Sequence, residues 1–187
     1  MSQLKENENG EIWIGNEKFT TLISSDKIKQ RVKELGSQIS EDYRGKLPIL
    51  IGVLNGSFIF LADLVKQVDI HCEIDFFKLS SYGDEKISSG NVKLLKELNA
   101  DITERHIIVV EDIVDSGLSI KFIQEILANH NPASVKFASL LVKPESLKYN
   151  IKIDYIGFEI PNEFVIGYGL DYAQKFRNLN SIYALSE

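Results

Sequence analysis

Apolar residues recur at helical spacing in three parts of the chain. Every third or fourth position between residues 25 and 43 is apolar, which predicts a helix, and Ser24 or Ser25 can serve as its N-cap. The same spacing predicts a second helix from Phe58 to Val65 and a third one that begins near Ile120.

Short apolar runs between these helices predict strands. PILIGV at 48–53 and HIIVV at 106–110 read as buried strands, and partial alternation over 70–79 predicts another. Three more strands are expected, at residues 135–142, 153–160 and 181–185. Strands that alternate with helices predict an α/β fold with a mainly parallel sheet. The polar, glycine-bearing stretch SSYGDEKISSG, residues 80–90, predicts a long mobile loop.

Length and charge narrow the class of protein. A chain of 187 residues without repeats, low-complexity tracts or linkers is expected to form one domain over residues 1–187. The net charge of −6 argues against a nucleic-acid or anionic-membrane surface. A phosphorylated small molecule stays compatible with this charge, because a metal ion or converging backbone amides can make one pocket positive.

The cysteine count and the N-terminal segment bear on the cellular compartment of the protein. Cys72 is the only cysteine, so an intrachain disulfide is excluded, and a reducing compartment fits. The opening segment MSQLKENENGE lacks the apolar core of a signal peptide, and no apolar run reaches the roughly 18 residues of a membrane span. A cytoplasmic protein without membrane association is the prediction.

The stretch VVEDIVDSGLS, residues 109–119, contains the main candidate ligand-binding residues. Glu111 and Asp112 follow an apolar run, and ligands of open α/β sheets bind at the carboxyl ends of strands. Gly117 permits a turn whose amides converge at the start of a helix, which suits a phosphate. The acidic pair can accept hydrogen bonds from neighbouring sugar hydroxyls or hold a divalent cation. One other interpretation remains open on these residues alone, in which Asp115 or Ser116 simply caps a helix and the acids are solvated. Receiver domains also end a strand on paired acids, but they give no reason for the serine and glycine turn directly after a third acid.

The same stretch resembles the phosphoribosyl pyrophosphate signature of type I phosphoribosyltransferases, specifically that of the hypoxanthine-guanine enzymes. Other segments are similar to further motifs of that family, in family order: IGVLNGSFIFLADL at 51–64 to its pyrophosphate loop, SSYG at 80–83 to the start of its lid, and ASLLVKP at 138–144 and DYIGFEIPNEFVIGYGLDYAQKFRNL at 154–179 to its purine-binding region. The resemblance implies a mainly parallel sheet flanked by helices, a small hood subdomain and a mobile lid loop.

The resemblance also implies roles for the residues of the signature. Glu111 and Asp112 would bind the ribose hydroxyls and Mg²⁺, and Asp115 would be the general base near the purine N7. The 5'-phosphate would lie against four residues of the turn: Ser116, Gly117, Leu118 and Ser119.

Three residues match the family's purine site. Lys143 would donate to the purine O6, Phe164 would stack on the ring, and main-chain groups of Val165 would contact its 2-position. Without the resemblance, a surface lysine and two core residues are the more common interpretation.

Diphosphate is expected to bind at Asn55, Gly56 and Arg177, and Asp171 is the expected direct ligand of a second Mg²⁺ ion. Without the family match, a helix cap and an exposed arginine are the alternatives for Asp171 and Arg177. The family commonly has Lys or Arg at the position of Asn55 and a cis peptide that corresponds here to Leu54–Asn55. Ser81 and Tyr82 would close over the reacting centre.

These implications predict an Mg²⁺-dependent transferase that moves phosphoribosyl from 5-phosphoribosyl 1-diphosphate to hypoxanthine or guanine, giving IMP or GMP. Phosphoribosyl diphosphate and a 6-oxopurine are the expected ligands, nucleic acid is not, and a homodimer or homotetramer is expected. A regulator with this fold is disfavoured by the acidic charge, and a xanthine-preferring enzyme is the nearer alternative.

Overall fold

The computed structural model of the protein describes residues 10–81, 92–96 and 98–186. Within these ranges the regular elements are β1 (Glu11–Ile14), β2 (Glu17–Ile23), α1 (Ser25–Asp42), β3 (Ile49–Leu54), α2 (Phe58–Val65), β4 (Glu73–Ser81), β5 (Val92–Lys96), β6 (His106–Val114), α3 (Leu118–Ala128), β7 (Ser134–Val142), β8 (Tyr155–Glu159), β9 (Val165–Ile166) and β10 (Ile182–Leu185). The three predicted helices are confirmed. None of the helices in the described ranges combines the length and apolar character that a membrane crossing requires.

A six-stranded sheet forms the centre of the molecule, in the order β5-β4-β3-β6-β7-β8. Its strands pair in parallel except at the β5 edge, where β5 runs antiparallel to β4. One face packs on α1 and α2 through a core that includes Leu35, Phe60 and Ile108. The other face packs on α3 through residues such as Val109 and Ile123. The predicted α/β class with a mainly parallel sheet is therefore confirmed.

The pairing of β6 is different on its two sides. Its ladder with β3 ends at Gly52↔Val110, whereas its ladder with β7 continues to Val114↔Val142. The sequence-based end of this strand at Val110 was therefore wrong, because Ile113 and Val114 keep pairing with β7. Glu111 and Asp112 lie in the part of β6 that makes no ladder bonds with β3.

A second sheet of four strands, β1-β2-β10-β9, joins the two ends of the described chain. It corresponds to the small hood expected from the resemblance. The hairpin of β1 and β2 was not predicted, because its residues alternate weakly and it becomes stable only against a core formed with Ile166 and Tyr183. The strand predicted from residue 70 begins at Glu73.

Candidate active site

Three segments meet at the carboxyl edge of the large sheet. Gly56 lies in the loop after β3, and a Cβ added to it would overlap the carboxylate of Asp112 on β6. A Cβ on Gly169, which has φ +102°, would overlap the carbonyl oxygen of Gly56. Glycine at both positions allows β6, the loop after β3 and the segment after β9 to stack directly on one another. Gly56 was a predicted site residue, whereas Gly169 was missed.

The acidic pair on β6 is poorly solvated. Burial is the main cause that raises the pKa of Glu111 well above its usual range, and the charge of Asp112 raises it further. Burial also raises the pKa of Asp112 to about 6, partly offset by donation from the Ile113 N–H at 2.9 Å. Nearby charges of Arg177 and Asp171 act on Asp112 with opposite signs. Two desolvated acids at one place favour a bound cation or a hydrogen-bond donor.

The turn after β6 has the geometry of an anion site. Gly117, at φ +81°, is the N-cap of α3, so neither Asp115 nor Ser116 occupies the N-cap position. The Leu118 amide donates only weakly to Ser116 Oγ, at 3.4 Å. Ser119, in the first turn of α3, completes the predicted group. The helix start and the left-handed glycine suit a phosphate oxygen.

The segment after β7 supports this turn. The Lys148 amide donates to Ser116 O at 3.1 Å. A Cβ on Gly117 would lie 2.6 Å from Ile151 Cδ1, so the side chain of Ile151 packs directly against the turn. The sequence carried no signal for this contact, because Ile151 follows an irregular polar segment.

Asp115 and Lys143 form an ion pair with Nζ 3.0 Å from Oδ2. The Lys143 side chain is 9% exposed and that of Asp115 is 54% exposed. Lys143 follows β7 directly, and its amide donates to Val114 O at 2.9 Å. The parallel pairing of β6 and β7 thus brings together two residues that the sequence predicted separately. The interpretation of Lys143 as a surface residue was wrong.

The two predicted ring-binding residues differ in environment. Val165 is 6% exposed and pairs with Ala184 in the small sheet. Phe164 is 46% exposed, with its ring centroid 5.5 Å from that of Tyr172 in an edge-on arrangement. An exposed, laterally packed ring offers a face for stacking, so core packing does not describe Phe164.

Arg177 is tied to the segment after β9. Its guanidinium lies 2.7 Å from Asp171 Oδ1 and donates to Gly169 O at 2.7 Å. The Gln174 amide donates to Asp171 Oδ2 at 2.8 Å, so Asp171 stabilises a turn and caps no helix among the described residues. Asp171 and Arg177 therefore form a pair next to Asp112, as its pKa shift reflects.

Three further predictions concern the metal site, the loop at Asn55 and the lid. Within the described ranges no group of three or more His, Cys, Asp or Glu side chains is arranged as a metal site. Asn55 is exposed, and the Leu54–Asn55 peptide is cis, as the resemblance implied. Ser81 is the last residue of β4, and Tyr82 lies outside the described residues, so the lid prediction is untested.

Comparison with known proteins agrees with this architecture. A model of the phosphoribosyl transferase domain family matches residues 20–173. The chain belongs to this family. It is similar to the hypoxanthine-guanine phosphoribosyltransferases of Bacillus subtilis, with 46% identity over 84% of this chain and 88% of the relative, and of Streptococcus pneumoniae, with 46% identity over 93% and 97%.

Solved structures support the same family assignment. A crystal structure of a hypoxanthine-guanine phosphoribosyltransferase from Bacillus anthracis matches with a TM-score of 0.84 and 45% identity, over 89% of this chain and 98% of that one. A hypoxanthine phosphoribosyltransferase from Staphylococcus aureus matches with a TM-score of 0.85 and 40% identity, over 89% and 90%. The family predicted from the sequence is confirmed.

Proposed function

We propose that this protein transfers phosphoribosyl from 5-phosphoribosyl 1-diphosphate to hypoxanthine or guanine, forming IMP or GMP and diphosphate in purine salvage. The observation that carries the proposal is the Asp115–Lys143 pair, in which the residue before the phosphate-type turn meets the residue that follows β7. The names of the similar proteins from Bacillus subtilis and Streptococcus pneumoniae support it.

The ion pair matches one edge of a 6-oxopurine. In its N7–H form, such a base carries a donor at N7 beside an acceptor at O6. The Asp115 carboxylate is an acceptor and the Lys143 ammonium is a donor, so the two can exchange their mutual contact for contacts with the base. Adenine has an amino group at position 6, which would face the ammonium donor to donor. The pair therefore favours 6-oxopurines.

The same pair explains the proton movement in the transfer. Asp115 accepts the N7 proton while the N9 lone pair forms a bond to ribose C1'. The bond between C1' and the diphosphate oxygen breaks, and its electron pair leaves with diphosphate. Positive charge that develops at the ribose is stabilised by the nearby carboxylates. Phe164 offers its exposed ring face for stacking, and main-chain groups at Val165 contact the 2-position.

The ribosyl diphosphate binds along the stacked segments. Amides and hydroxyls of the turn 116–119 take the 5'-phosphate, and Glu111 and Asp112 accept hydrogen bonds from the ribose hydroxyls. The loop at Asn55 and Gly56, with Arg177, takes the diphosphate.

Magnesium is the implied cofactor. The residue types fit it without a preformed cluster of three ligands, because this ion is usually held by one or two protein carboxylates together with substrate phosphates, and Glu111, Asp112 and Asp171 supply carboxylate oxygens. When bound, the ion offsets the negative charge of the diphosphate. The desolvated acidic pair, unfavourable alone, becomes favourable beside a cation.

The protein is proposed to form a homodimer or homotetramer. Large apolar side chains such as Phe58 on α2 and Ile74 on β4, each 43% exposed, would lose contact with water if they lay between copies of the chain. Sedimentation of the purified chain at several concentrations would test this.

The proposed function is tested by incubating the purified protein with 5-phosphoribosyl 1-diphosphate, Mg²⁺ and one base at a time. Nucleotide from hypoxanthine and guanine, little from adenine, and none after chelation are expected. Faster nucleotide formation from xanthine than from hypoxanthine or guanine would favour the xanthine-preferring enzyme. Absence of nucleotide from every base, with the diphosphate still bound, would contradict the proposal and favour a regulator.

A further inference from the structure

A tyrosine hydroxyl connects the segment after β9 to helix α2. Tyr168, between β9 and Asp171, donates its hydroxyl hydrogen to Asp63 Oδ2 at 2.8 Å. Asp63 lies on α2, the helix that begins directly after the loop at Asn55 and Gly56. The hydrogen bond therefore connects two parts of the chain that are 105 residues apart.

The backbone around Tyr168 is held in a strained conformation. Tyr168 itself has φ +50°, and Gly167 and Gly169 on either side also have positive φ. Such a conformation at a bulky residue persists only where surrounding contacts determine it. The Tyr168 ring is buried, at 6% exposure, and its amide donates to Leu179 O at 2.8 Å. The hydroxyl contact with Asp63 adds a directional restraint to the packing of the ring in the core that covers one face of the large sheet.

This restraint acts on atoms of the proposed site. Gly169, the next residue, lies against the Gly56 carbonyl and accepts from Arg177 at 2.7 Å through its own carbonyl. Its amide donates to Arg177 O at 2.9 Å. Asp171 follows two residues later and pairs with Arg177. Movement of Tyr168 relative to α2 would displace the guanidinium and the Asp171 carboxylate relative to the loop at Gly56.

The chemistry of the pair suits a permanent hydrogen bond. Burial and the contact with Asp63 both raise the pKa of Tyr168, so the hydroxyl keeps its proton at neutral pH. The other carboxylate oxygen of Asp63 lies 2.6 Å from Lys66 Nζ, which orients the carboxylate. Neither Tyr168 nor Asp63 belongs to the groups proposed to contact substrate.

We propose that Tyr168 and Asp63 are positioning residues that hold residues 167–171 against the loop at 54–57 in the geometry that binds the diphosphate. This inference rests on the proposed function. Without the hydrogen bond, only a fraction of molecules has both segments docked, and the apparent affinity falls by that fraction. Once substrate has bound, the geometry is the same, so the chemical step is unchanged.

The central test is Tyr168→Phe, which removes the hydroxyl and keeps the ring. We expect a rise of about three- to tenfold in KM for 5-phosphoribosyl 1-diphosphate, the factor expected for one hydrogen bond. The kcat and the KM for hypoxanthine are expected to stay at the wild-type values. Hydrogen exchange of amides in residues 167–171 of the substrate-free protein is expected to become faster.

Substitutions of Asp63 test the same hydrogen bond from its acceptor side. Asp63→Ala should reproduce the KM change, and combining it with Tyr168→Phe should add nothing further, because both remove one interaction. Asp63→Asn keeps an oxygen acceptor for the hydroxyl and is expected to retain a KM near the wild-type value. If Tyr168→Phe does not fold, the comparison of Asp63→Ala with Asp63→Asn decides the proposal.

A matched control exists at the opposite end of the sheet. Tyr155 is also buried and donates its hydroxyl to an aspartate, Asp42, at 2.5 Å, but it lies at the start of β8. Tyr155→Phe is expected to lower the Tm without changing either KM. An equal rise in KM for the diphosphate in this control, or a wild-type KM in Tyr168→Phe, would overturn the inference.

Binding of the Mg²⁺ complex of 5-phosphoribosyl 1-diphosphate, measured by calorimetry without a purine, separates the two proposals. Failure of the wild-type protein to form nucleotide would contradict the proposed function. Equal dissociation constants for the wild type and Tyr168→Phe, in a protein that does form nucleotide, would contradict only the positioning role.

Discussion

The Lys143 ammonium lies 3.0 Å from the carboxylate of Asp115, which is 28 residues away in the sequence. Adjacent parallel strands bring the two together, since Val142 and Val114 are register partners. Lys143 is buried and Asp115 is exposed, so a buried cation is paired with a carboxylate that a ligand can reach. Each member of this pair has a separate predicted effect on the reaction.

Asp115→Asn is expected to keep substrate binding and to lower kcat strongly. An amide has nearly the shape of the carboxylate but cannot accept the N7 proton, and general base catalysis typically contributes about 10²- to 10⁴-fold. Steady-state kinetics with hypoxanthine, together with calorimetry of diphosphate binding, checks both parts. Wild-type turnover in this variant would remove Asp115 from the mechanism.

Lys143→Met is expected to weaken binding of 6-oxopurines and to leave binding of the ribosyl diphosphate unchanged. The apolar stem is kept while the donor to O6 is lost, and a hydrogen bond from a charged donor is worth at least about tenfold in affinity. Relative kcat/KM for hypoxanthine and adenine gives the measurement. An unaltered preference between these bases would show that Lys143 does not contact position 6.

Gly56→Ala is expected to abolish tight binding of the ribosyl diphosphate. The added methyl group would overlap the Asp112 carboxylate, so either the loop or the acidic pair must shift. Calorimetry with Mg²⁺ present measures the loss, which we expect to exceed about tenfold because the stacked segments share one contact surface.

Gly15→Ala is the control for that variant. Gly15 has φ +63° but has no atom within 4 Å of an added Cβ, so only local strain is introduced in the turn between β1 and β2. It is expected to lower the Tm slightly and to bind the diphosphate normally. Equal affinity in Gly56→Ala and Gly15→Ala would argue against the stacked arrangement.

Binding of Mg²⁺ with the ribosyl diphosphate is expected to weaken as the pH falls through about 6. The pKa of Asp112 is raised by burial to about 6 in the free protein, so its carboxylate must lose a proton before it can face a cation. Titration calorimetry at pH 5 to 8 in buffers of different ionisation enthalpy measures both the affinity and the released proton. A pH-independent affinity over this range would contradict the prediction.

The raised pKa of Asp112 also affects folding stability, which changes with pH in the opposite direction to Mg²⁺ and diphosphate binding. Because the folded-state pKa lies above the usual value, ionisation of Asp112 favours the unfolded chain, and stability is lost as the pH rises from about 4 through about 6. Asp112→Asn is therefore expected to have a higher Tm than the wild type above pH 6 while losing diphosphate binding. A lower Tm at pH 8 would contradict the desolvation argument.

Asn55→Lys is expected to lower the KM for the ribosyl diphosphate. Asn55 is exposed in the loop that contacts Asp112, and a cation there would attract the diphosphate without the cost of burial. We expect an improvement of about two- to fivefold that diminishes at high salt, because exposed charges are screened. Asn55→Gln serves as the neutral control, and equal kinetics of the two variants would contradict the prediction.

Several features followed from local sequence patterns. The periodicity of residues 25–43 predicted α1 almost to its last residue, because one apolar face suffices to define an amphipathic helix. The order of acids, serine and glycine at 111–119 predicted a strand followed by a turn and a helix, and it indicated the family through residues that are neighbours in the chain. These features depend on the preferences of adjacent residues.

Other features were decided only by packing between distant segments. The free side of Glu111 and Asp112 exists because β3 stops pairing at Gly52↔Val110, and no pattern within β6 encodes where another strand ends. The contact of Gly169 with Gly56 and the hydrogen bond from Tyr168 to Asp63 join parts of the chain more than a hundred residues apart. The sequence thus determined which chemical groups are present and on which elements they lie. Sheet register and close backbone packing determined which of them meet, because those contacts form only when the whole core is assembled.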